Sequence, residues 1–345
     1  MKYLVTGGAG FFGGILIPHL LATGARVVSI DRQPHWFEHP ALTTVQGDIR
    51  DSATVEQIFA AGDITGVVHA AAVLAHGKRD PDLWSSNVEG TRRVAASAAA
   101  HGVRRFVFIS SNCLWAHNFG RPVSELDEPS PIELYGKSKH EGEKLLVQEF
   151  GSSLDVTMIR TPTIIDEGRL GLLAILFDFI NDGNTVWTVG GGANRYQFVY
   201  AQDLAEACLL SLRSDSIGIF NVGSDDVPTL GDAYRYVIAA AGSRSKVKSL
   251  PKGPAITMMK LASALKVSPL GPYHYRMIAE DFVFDTTKIK AELSWKPSLT
   301  NGEMLWRAYM HYVSNLDEIR SRTDVSAHRQ ATHMGPAIRL LKWLS

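Results

Sequence analysis

The sequence predicts an α/β chain: a doubly wound parallel sheet followed by a smaller C-terminal part. Three observations carry this expectation. Short apolar runs alternate with helical periods through the first 160 residues. The runs are continuous rather than alternating, as in Phe106-Val107-Phe108-Ile109, which suits strands covered on both faces. A glycine-rich segment, Thr6 to Gly13, lies between the first run and the first helical period, and Asp31 ends the second run.

The first βαβ unit comprises a strand at Lys2 to Thr6, a helix at Phe12 to Leu21 and a strand at Ala25 to Ile30. Further strands are expected at Leu42 to Gln46, Gly66 to His69, Arg105 to Ile109 and Val156 to Ile159. Helices are expected between them, at Ala53 to Ala61, Leu83 to His101 and Tyr135 to Phe150. Beyond Arg160 the pattern loosens, with helical periods at Leu170 to Asn181, Thr229 to Ala241 and Gly302 to Val313. The division that follows is a dinucleotide-binding domain over 1–160, rejoined by segments near 195–222. A mainly substrate-binding part covers 161–325 and a tail covers 326–345.

The 345 residues carry 35 Lys and Arg against 35 Asp and Glu, a formal charge of zero, which argues against a nucleic-acid partner. Two cysteines, Cys113 and Cys208, make no disulfide framework and fit a reducing compartment, so a cytoplasmic location is expected. The first strand begins at Lys2, so no secretory leader is expected, and no apolar stretch is long enough to span a bilayer. No His, Cys and carboxylate spacing suggests a metal; His69 and His274 are expected to be structural or to lie near the ribose.

Gly7, Gly10 and Gly13 let the backbone turn and approach a pyrophosphate, while Phe11 and Phe12 open a helix whose N–H groups face it. Asp31 would accept from the adenosine ribose hydroxyls and repel a 2′-phosphate, which favours NAD over NADP; Arg32 beside it tempers that preference. The plainer reading is a tight turn without ligand. Asp48 and Ile49 are expected beside the adenine, with Asp48 as cap of the next helix the alternative.

Tyr135 and Lys139 fall one turn apart at the start of a helix. A free phenol is a poor base at neutral pH, but a nearby ammonium favours its phenolate. Ser111 follows the fifth strand, where carboxyl ends of sheet strands meet the ligand crevice, and is placed to bind a reacting oxygen. An exposed Tyr and Lys on a surface helix is the alternative for the pair taken alone.

With these residues in view, the sequence resembles the extended short-chain dehydrogenase/reductase family, the NAD-dependent epimerase/dehydratase group with a Rossmann fold. The resemblance runs from Lys2 to about Tyr312. Its anchors are Thr6 to Gly13, Asp31, Gly47-Asp48-Ile49, His69-Ala70-Ala71-Ala72, Asn87 with Gly90-Thr91, Ser110-Ser111 and Tyr135-Gly136-Lys137-Ser138-Lys139. Arg195 to Leu204 and Glu292 to Pro297 add two further matching segments. The resemblance implies an NAD site that includes Ala70, Ala71, Asn87 and Pro162. It also implies Tyr135 as base, Lys139 on the nicotinamide ribose, and Ser111 on the developing ketone, with Asn112 beside the substrate. Hydride returned to the opposite face would make the reaction an epimerisation, most simply at the 4-position of a sugar nucleotide. Homodimerisation through the helices at 83–101 and 135–150 is implied as well.

Certain departures narrow the activity. The 4,6-dehydratases of the family carry an Asp-Glu pair where this chain has Asn112 and Cys113, so dehydration is not expected. Cys113 matches the acid/base cysteine of GDP-sugar 3,5-epimerases, but Arg160 to Asp166 supplies no basic partner, so a packing role is expected. That segment also lacks the Asn of many UDP-sugar epimerases, and its Arg-x-Pro-x-Ile pattern resembles the steroid-dehydrogenase branch. A net dehydrogenase of a hydroxysteroid-like or other secondary alcohol is therefore the second reading, and a non-catalytic NAD-binding protein the third. Arg195 is the candidate clamp for a substrate diphosphate, with an ion pair to Asp203 or Glu206 as its alternative, and Arg276 is a second candidate. The segment from Gly335 to Ser345 interleaves Arg339 and Lys342 with apolar residues. It is expected to dock on the protein or a dimer mate, with weak contact to a membrane surface the alternative.

Overall fold

The computed structural model describes residues 1–74, 81–115, 118–265, 272–321 and 342. The N-terminal half contains β1 (Lys2–Thr6), α1 (Gly13–Ala22), β2 (Arg26–Asp31), β3 (Leu42–Gln46), α2 (Ser52–Ala60) and β4 (Gly66–His69). There follow α3 (Pro81–Trp84), a π-helical stretch Ser85–Gly90, α4 (Thr91–Ala100), β5 (Arg105–Ile109), α5 (Leu134–Phe150) and β6 (Asp155–Arg160). The remainder comprises β7 (Thr163–Ile165), α6 (Leu173–Asn181), β8 (Val186–Val189), β9 (Phe198–Tyr200), α7 (Ala201–Arg213), β10 (Gly218–Asn221) and α8 (Leu230–Ala240). The last elements are β11 (Val247–Leu250), α9 (Lys252–Ala264), α10 (Pro272–Ala279), α11 (Thr287–Leu293), α12 (Asn301–Ser314) and α13 (Leu316–Ser321).

A seven-stranded sheet runs in the order β10-β6-β5-β4-β1-β2-β3, and every pairing in it is parallel. The chain reverses its direction of travel across the sheet between β1 and β4, so a crevice opens at the carboxyl ends of those two strands. Their continuous apolar sequences follow from burial on both sides. One face packs Val5, Val68, Val107 and Ile159 against α1 and α7, and the other packs Leu4, Val67, Phe106 and Phe108 against α2, α4 and α5.

Late segments return to this core. Ile289, Leu293 and Trp295 join the α1 and α7 face, and Trp295 donates its indole N–H to the Asp203 carbonyl at 2.7 Å. A separate cluster, which includes Phe177, Phe198, Val237 and Leu305, holds the C-terminal part together around α6, α8 and α12. Two small parallel pairs, β7 with β9 and β8 with β11, complete that part. Among the described residues no helix is long and apolar enough to cross a membrane.

The helix expected over 83–101 is not continuous, because the turn at Ser85–Gly90 is widened. The Asn87 side chain accepts from Val73 N at 2.7 Å and donates to Val73 O and Ser138 Oγ, while Thr91 Oγ1 donates to the Asn87 carbonyl. Those tertiary bonds hold the turn open. Asp48 does not cap α2. Asp51 does, accepting from Ala53 N at 3.0 Å, because Asp48 is drawn to Arg50. Of the tail, only Lys342 is described; its ammonium pairs with Asp182 at 2.7 Å and stands over the Phe179 ring.

Candidate active site

The loop after β1 turns through Gly7, whose φ of 76° favours glycine, and a Cβ there would meet Ala71 Cα at 2.8 Å. This position therefore lets the β1 and β4 loops touch. Gly10 N donates to Gly7 O at 3.1 Å and Gly14 N to Gly10 O at 3.0 Å, so α1 begins with the N–H groups of Phe11, Phe12 and Gly13 ahead of its first bonded turn. Phe12 is buried in the core beneath. Asp31 accepts from Ala9 N at 3.1 Å and from Gln33 N at 2.9 Å, which fixes its carboxylate at the mouth of the same loop. A helix start supplying partial positive charge, with an acidic acceptor beside it, fits the diphosphate and ribose of a dinucleotide.

Asp48 and Ile49 lie past β3. The Asp48 carboxylate accepts from Arg50 N, Nε and Nη2, and these bonds lower its pKa; Arg50 also reaches Asp82 at 2.7 Å. Ile49 is buried and abuts Gly90, where a Cβ would come within 2.7 Å of its Cδ1.

A buried relay joins the two loops to the helix carrying Asn87. Ala71 N donates to Thr6 Oγ1 at 3.1 Å, and Ala70 N to Thr6 O at 3.3 Å. Thr6 Oγ1 and His69 Nδ1 are 2.8 Å apart, and His69 Nε2 and Thr91 Oγ1 are 2.9 Å apart. Because the Thr91 proton goes to Asn87 O, the network assigns the proton of His69 to Nε2, with Nδ1 accepting from Thr6. Burial, aided by the Lys139 charge, pushes the His69 pKa down to about 3, so the ring is neutral. His69 is thus a structural brace.

Ser111, Asn112, Tyr135 and Lys139 converge at the carboxyl end of β5. Lys139 is 2% exposed; one of its three protons goes to Ile109 O at 2.9 Å, and its charge lies 4.7 Å from the Phe108 ring centroid. Burial brings its pKa down to about 8, opposed by the charge of Glu143. Tyr135 is half-buried one turn earlier, in the first turn of α5. Ser138 Oγ donates to Tyr135 O at 2.7 Å and accepts from Asn87, which secures that turn against the π-helical stretch. Asn87 therefore acts on this region by bracing it.

Gly136 follows Tyr135, and a Cβ there would sit 2.1 Å from Cys113 O, so the start of α5 lies directly against the backbone after Ser111. Ser111 Oγ accepts from Cys113 N at 3.1 Å and donates over a long 3.5 Å to Asn112 Oδ1, a contact that a closer acceptor can replace. Asn112 N donates to Thr161 O at 2.9 Å, and its side chain donates to the Tyr196 hydroxyl at 2.7 Å. Pro162, buried just beyond Thr161, lies beside this loop. Cys113 is half-buried, its thiol 4.0 Å from Asn112 Oδ1.

Arg195 is exposed, and its N–H donates to Asp281 Oδ1 at 2.7 Å. Neither acidic residue considered for it takes the guanidinium: Asp203 binds Ser298 N and Oγ, and Glu206 binds His19 at 2.8 Å. Arg276 lies on α10 with its side chain outside the described set, as does that of His274. Thr6, Gly136 and Tyr196 lie in the matching segments of the sequence, which assigned them no role of their own. Only the glycine inside a helical period signalled a close approach in advance.

Residues 3–223 match the family model described as NAD dependent epimerase/dehydratase family. The chain is 38% identical over 315 residues to y4nG of Sinorhizobium fredii, an uncharacterised protein; the match spans 90% of this chain and 78% of that one. It is 26% identical to a 3 beta-hydroxysteroid dehydrogenase/Delta 5→4-isomerase of Mycobacterium tuberculosis, across 97% of this chain and 96% of the other. Among solved structures, the Thermus thermophilus UDP-glucose 4-epimerase complex with NAD superposes with a TM-score of 0.72 at 25% identity, covering 91% of this chain and 99% of that one. The glycine cradle, the buried lysine and these likenesses agree, and the chain belongs to the NAD-dependent epimerase/dehydratase family.

Proposed function

We propose that this chain is an NAD-dependent epimerase that inverts a secondary hydroxyl of a sugar nucleotide through a transient ketone, with Ser111, Tyr135 and Lys139 as its catalytic residues. The observation that carries the reading is the bond from Asn112 to the Tyr196 hydroxyl. It ties the loop of Ser111 to the segment of Arg195, an exposed guanidinium whose fork suits the diphosphate of a nucleotide.

Bound NAD supplies an oxidised pyridine ring that takes up a hydride. Tyr135 removes the proton of the substrate hydroxyl, and the Lys139 ammonium one turn away favours its phenolate. Lys139 also holds the nicotinamide ribose in this reading, with a proton not given to Ile109. Ser111 donates to the ketone oxygen as it forms, while the Cys113 N–H fixes its orientation. Tyr135 returns its proton when hydride comes back to the opposite face of the ketone, so the cycle has no net redox change. The absence of an acid at 112 and 113 leaves water elimination without a proton donor there. Two copies are proposed to pair through α4 and α5, which sedimentation of the purified protein tests.

A second reading, net oxidation of a hydroxysteroid-like alcohol, is favoured by Thr161-Pro162 in the segment after β6 and by the end-to-end likeness to the mycobacterial dehydrogenase. UDP-, GDP- and dTDP-sugars and a 3β-hydroxysteroid, each incubated with enzyme and NAD, separate the two. Inversion of a sugar nucleotide without accumulating NADH supports epimerisation; NADH accumulating with the steroid replaces it by the second reading.

A further inference from the structure

The segment between β7 and α6 carries a cation to the glycine loop from the C-terminal part of the chain. The Arg169 guanidinium carbon stands 5.8 Å from the centroid of the Phe11 ring. Phe11 is 3% exposed and lies between the glycine loop and the start of α1, directly before its N-cap residue Phe12. We infer that Arg169 is a cofactor-binding residue that clamps the diphosphate of the dinucleotide from the side opposite the glycine loop.

The charge balance of the cradle calls for such a group. A diphosphate brings two negative charges, and a helix N-terminus answers with roughly half a positive charge. Asp31, held at the same mouth by Ala9 N, adds a negative one. A guanidinium offers two parallel bonds to phosphate oxygens and meets this deficit at short range.

The segment is built to hold Arg169 still. Arg169 N donates to Asp166 O at 3.0 Å, closing a turn, and Leu170 is 1% exposed within the C-terminal core cluster. Glu167 pairs with Arg307 of α12 at 3.3 Å. Gly168 and Gly171, with φ of 79° and 56°, give the bends on either side. The backbone that carries Arg169 is thus set before ligand arrives, which limits the ordering cost of its contact to the side chain itself. Arg169 would then join Pro162 as a cofactor contact from the C-terminal half of the chain. The inference rests on NAD as cofactor and is independent of which alcohol is the substrate.

Calorimetric titration of Arg169→Ala and Arg169→Met with NAD, ADP-ribose, adenosine and UDP tests it, with the thermal midpoint of each cofactor-free protein as a check on folding. The Met variant keeps the packing on Phe11 if Ala disturbs it. The expected result is NAD and ADP-ribose binding weakened by about tenfold to a hundredfold, with adenosine within about twofold of wild type. Unchanged affinity for ADP-ribose would overturn the assignment. So would equal weakening of adenosine, or a loss confined to UDP, which would place Arg169 on the substrate diphosphate instead.

Discussion

The Asn112 side chain donates to the Tyr196 hydroxyl across 2.7 Å, and both residues are buried. This bond joins the loop after β5 to the segment that leads into β9, two stretches 84 residues apart. Tyr196→Phe leaves the Asn112 amide without that partner in a buried setting, at a cost of about 1–3 kcal/mol. Thermal unfolding should register the loss. Steady-state kinetics should show kcat/KM for the sugar nucleotide lowered by about tenfold, since the loop carrying Ser111 loses a brace. Unaltered kinetics in a folded variant would detach this bond from the site.

Lys139 carries a charge that folding opposes. Its pKa falls from 10.5 to about 8 on burial, so the folded state binds fewer protons than the unfolded chain between those values. Stability from this group therefore rises with pH through that window, and the full penalty, about 3 kcal/mol, applies below pH 8. Lys139→Met removes the penalty and forfeits the bond to Ile109 O. The cofactor-free variant should melt a few degrees above wild type at pH 7, with the difference shrinking toward pH 10. Turnover should be lost. A lower melting temperature at pH 7 would show that the ammonium stabilises the fold.

Gly136 is where α5 meets the Cys113 carbonyl. An added Cβ at 2.1 Å from that oxygen, with Pro131 Cβ at 3.1 Å on another side, has no room without moving the helix start. Gly136→Ala should destabilise by about 1–3 kcal/mol and shift Tyr135 relative to Ser111, lowering kcat by about a hundredfold. Circular dichroism and kinetics together check this; full activity would mean that the spacing is not critical.

Asp166 is 5% exposed, and burial raises its pKa from 3.8 to about 6, although Glu167 N donates to it at 2.7 Å. A raised carboxyl pKa means that the folded state holds its proton where the unfolded chain has released it. Stability from this group is thus lost as pH rises through 4 to 6. Asp166→Asn should stabilise by about 3 kcal/mol at pH 8, with the gain fading as pH drops below 6. Denaturant unfolding at a series of pH values measures this; a gain independent of pH would assign it to packing rather than to ionisation.

Much of the architecture was legible because burial on both faces leaves continuous apolar runs. Arg105–Ile109, Gly66–His69 and Leu42–Gln46 form strands with the expected bounds. Other features depend on partners distant in sequence. The π-helical turn at Ser85–Gly90 exists because Asn87 bonds Val73 and Ser138, and no local period encodes that. Strands β7, β8, β9 and β11 are three or four residues long, too short to show an alternation. Within the site, Tyr135 and Lys139 stand four apart and could be named from spacing alone. Tyr196 and Arg169 could not, because each reaches the site across a fold rather than along a helix.

Transfer of the isotope at the inverted carbon tests the central claim most directly. The substrate is a UDP-sugar deuterated at that carbon, incubated with NAD-loaded enzyme and unlabelled NADH in solution, and the products are followed by mass spectrometry. The expected result is an inverted sugar that keeps its deuterium, with bulk NADH unchanged in amount and label. No conversion should occur in Tyr135→Phe, which still binds NAD. A keto product with labelled NADH accumulating in solution, or undiminished conversion by Tyr135→Phe, would contradict it.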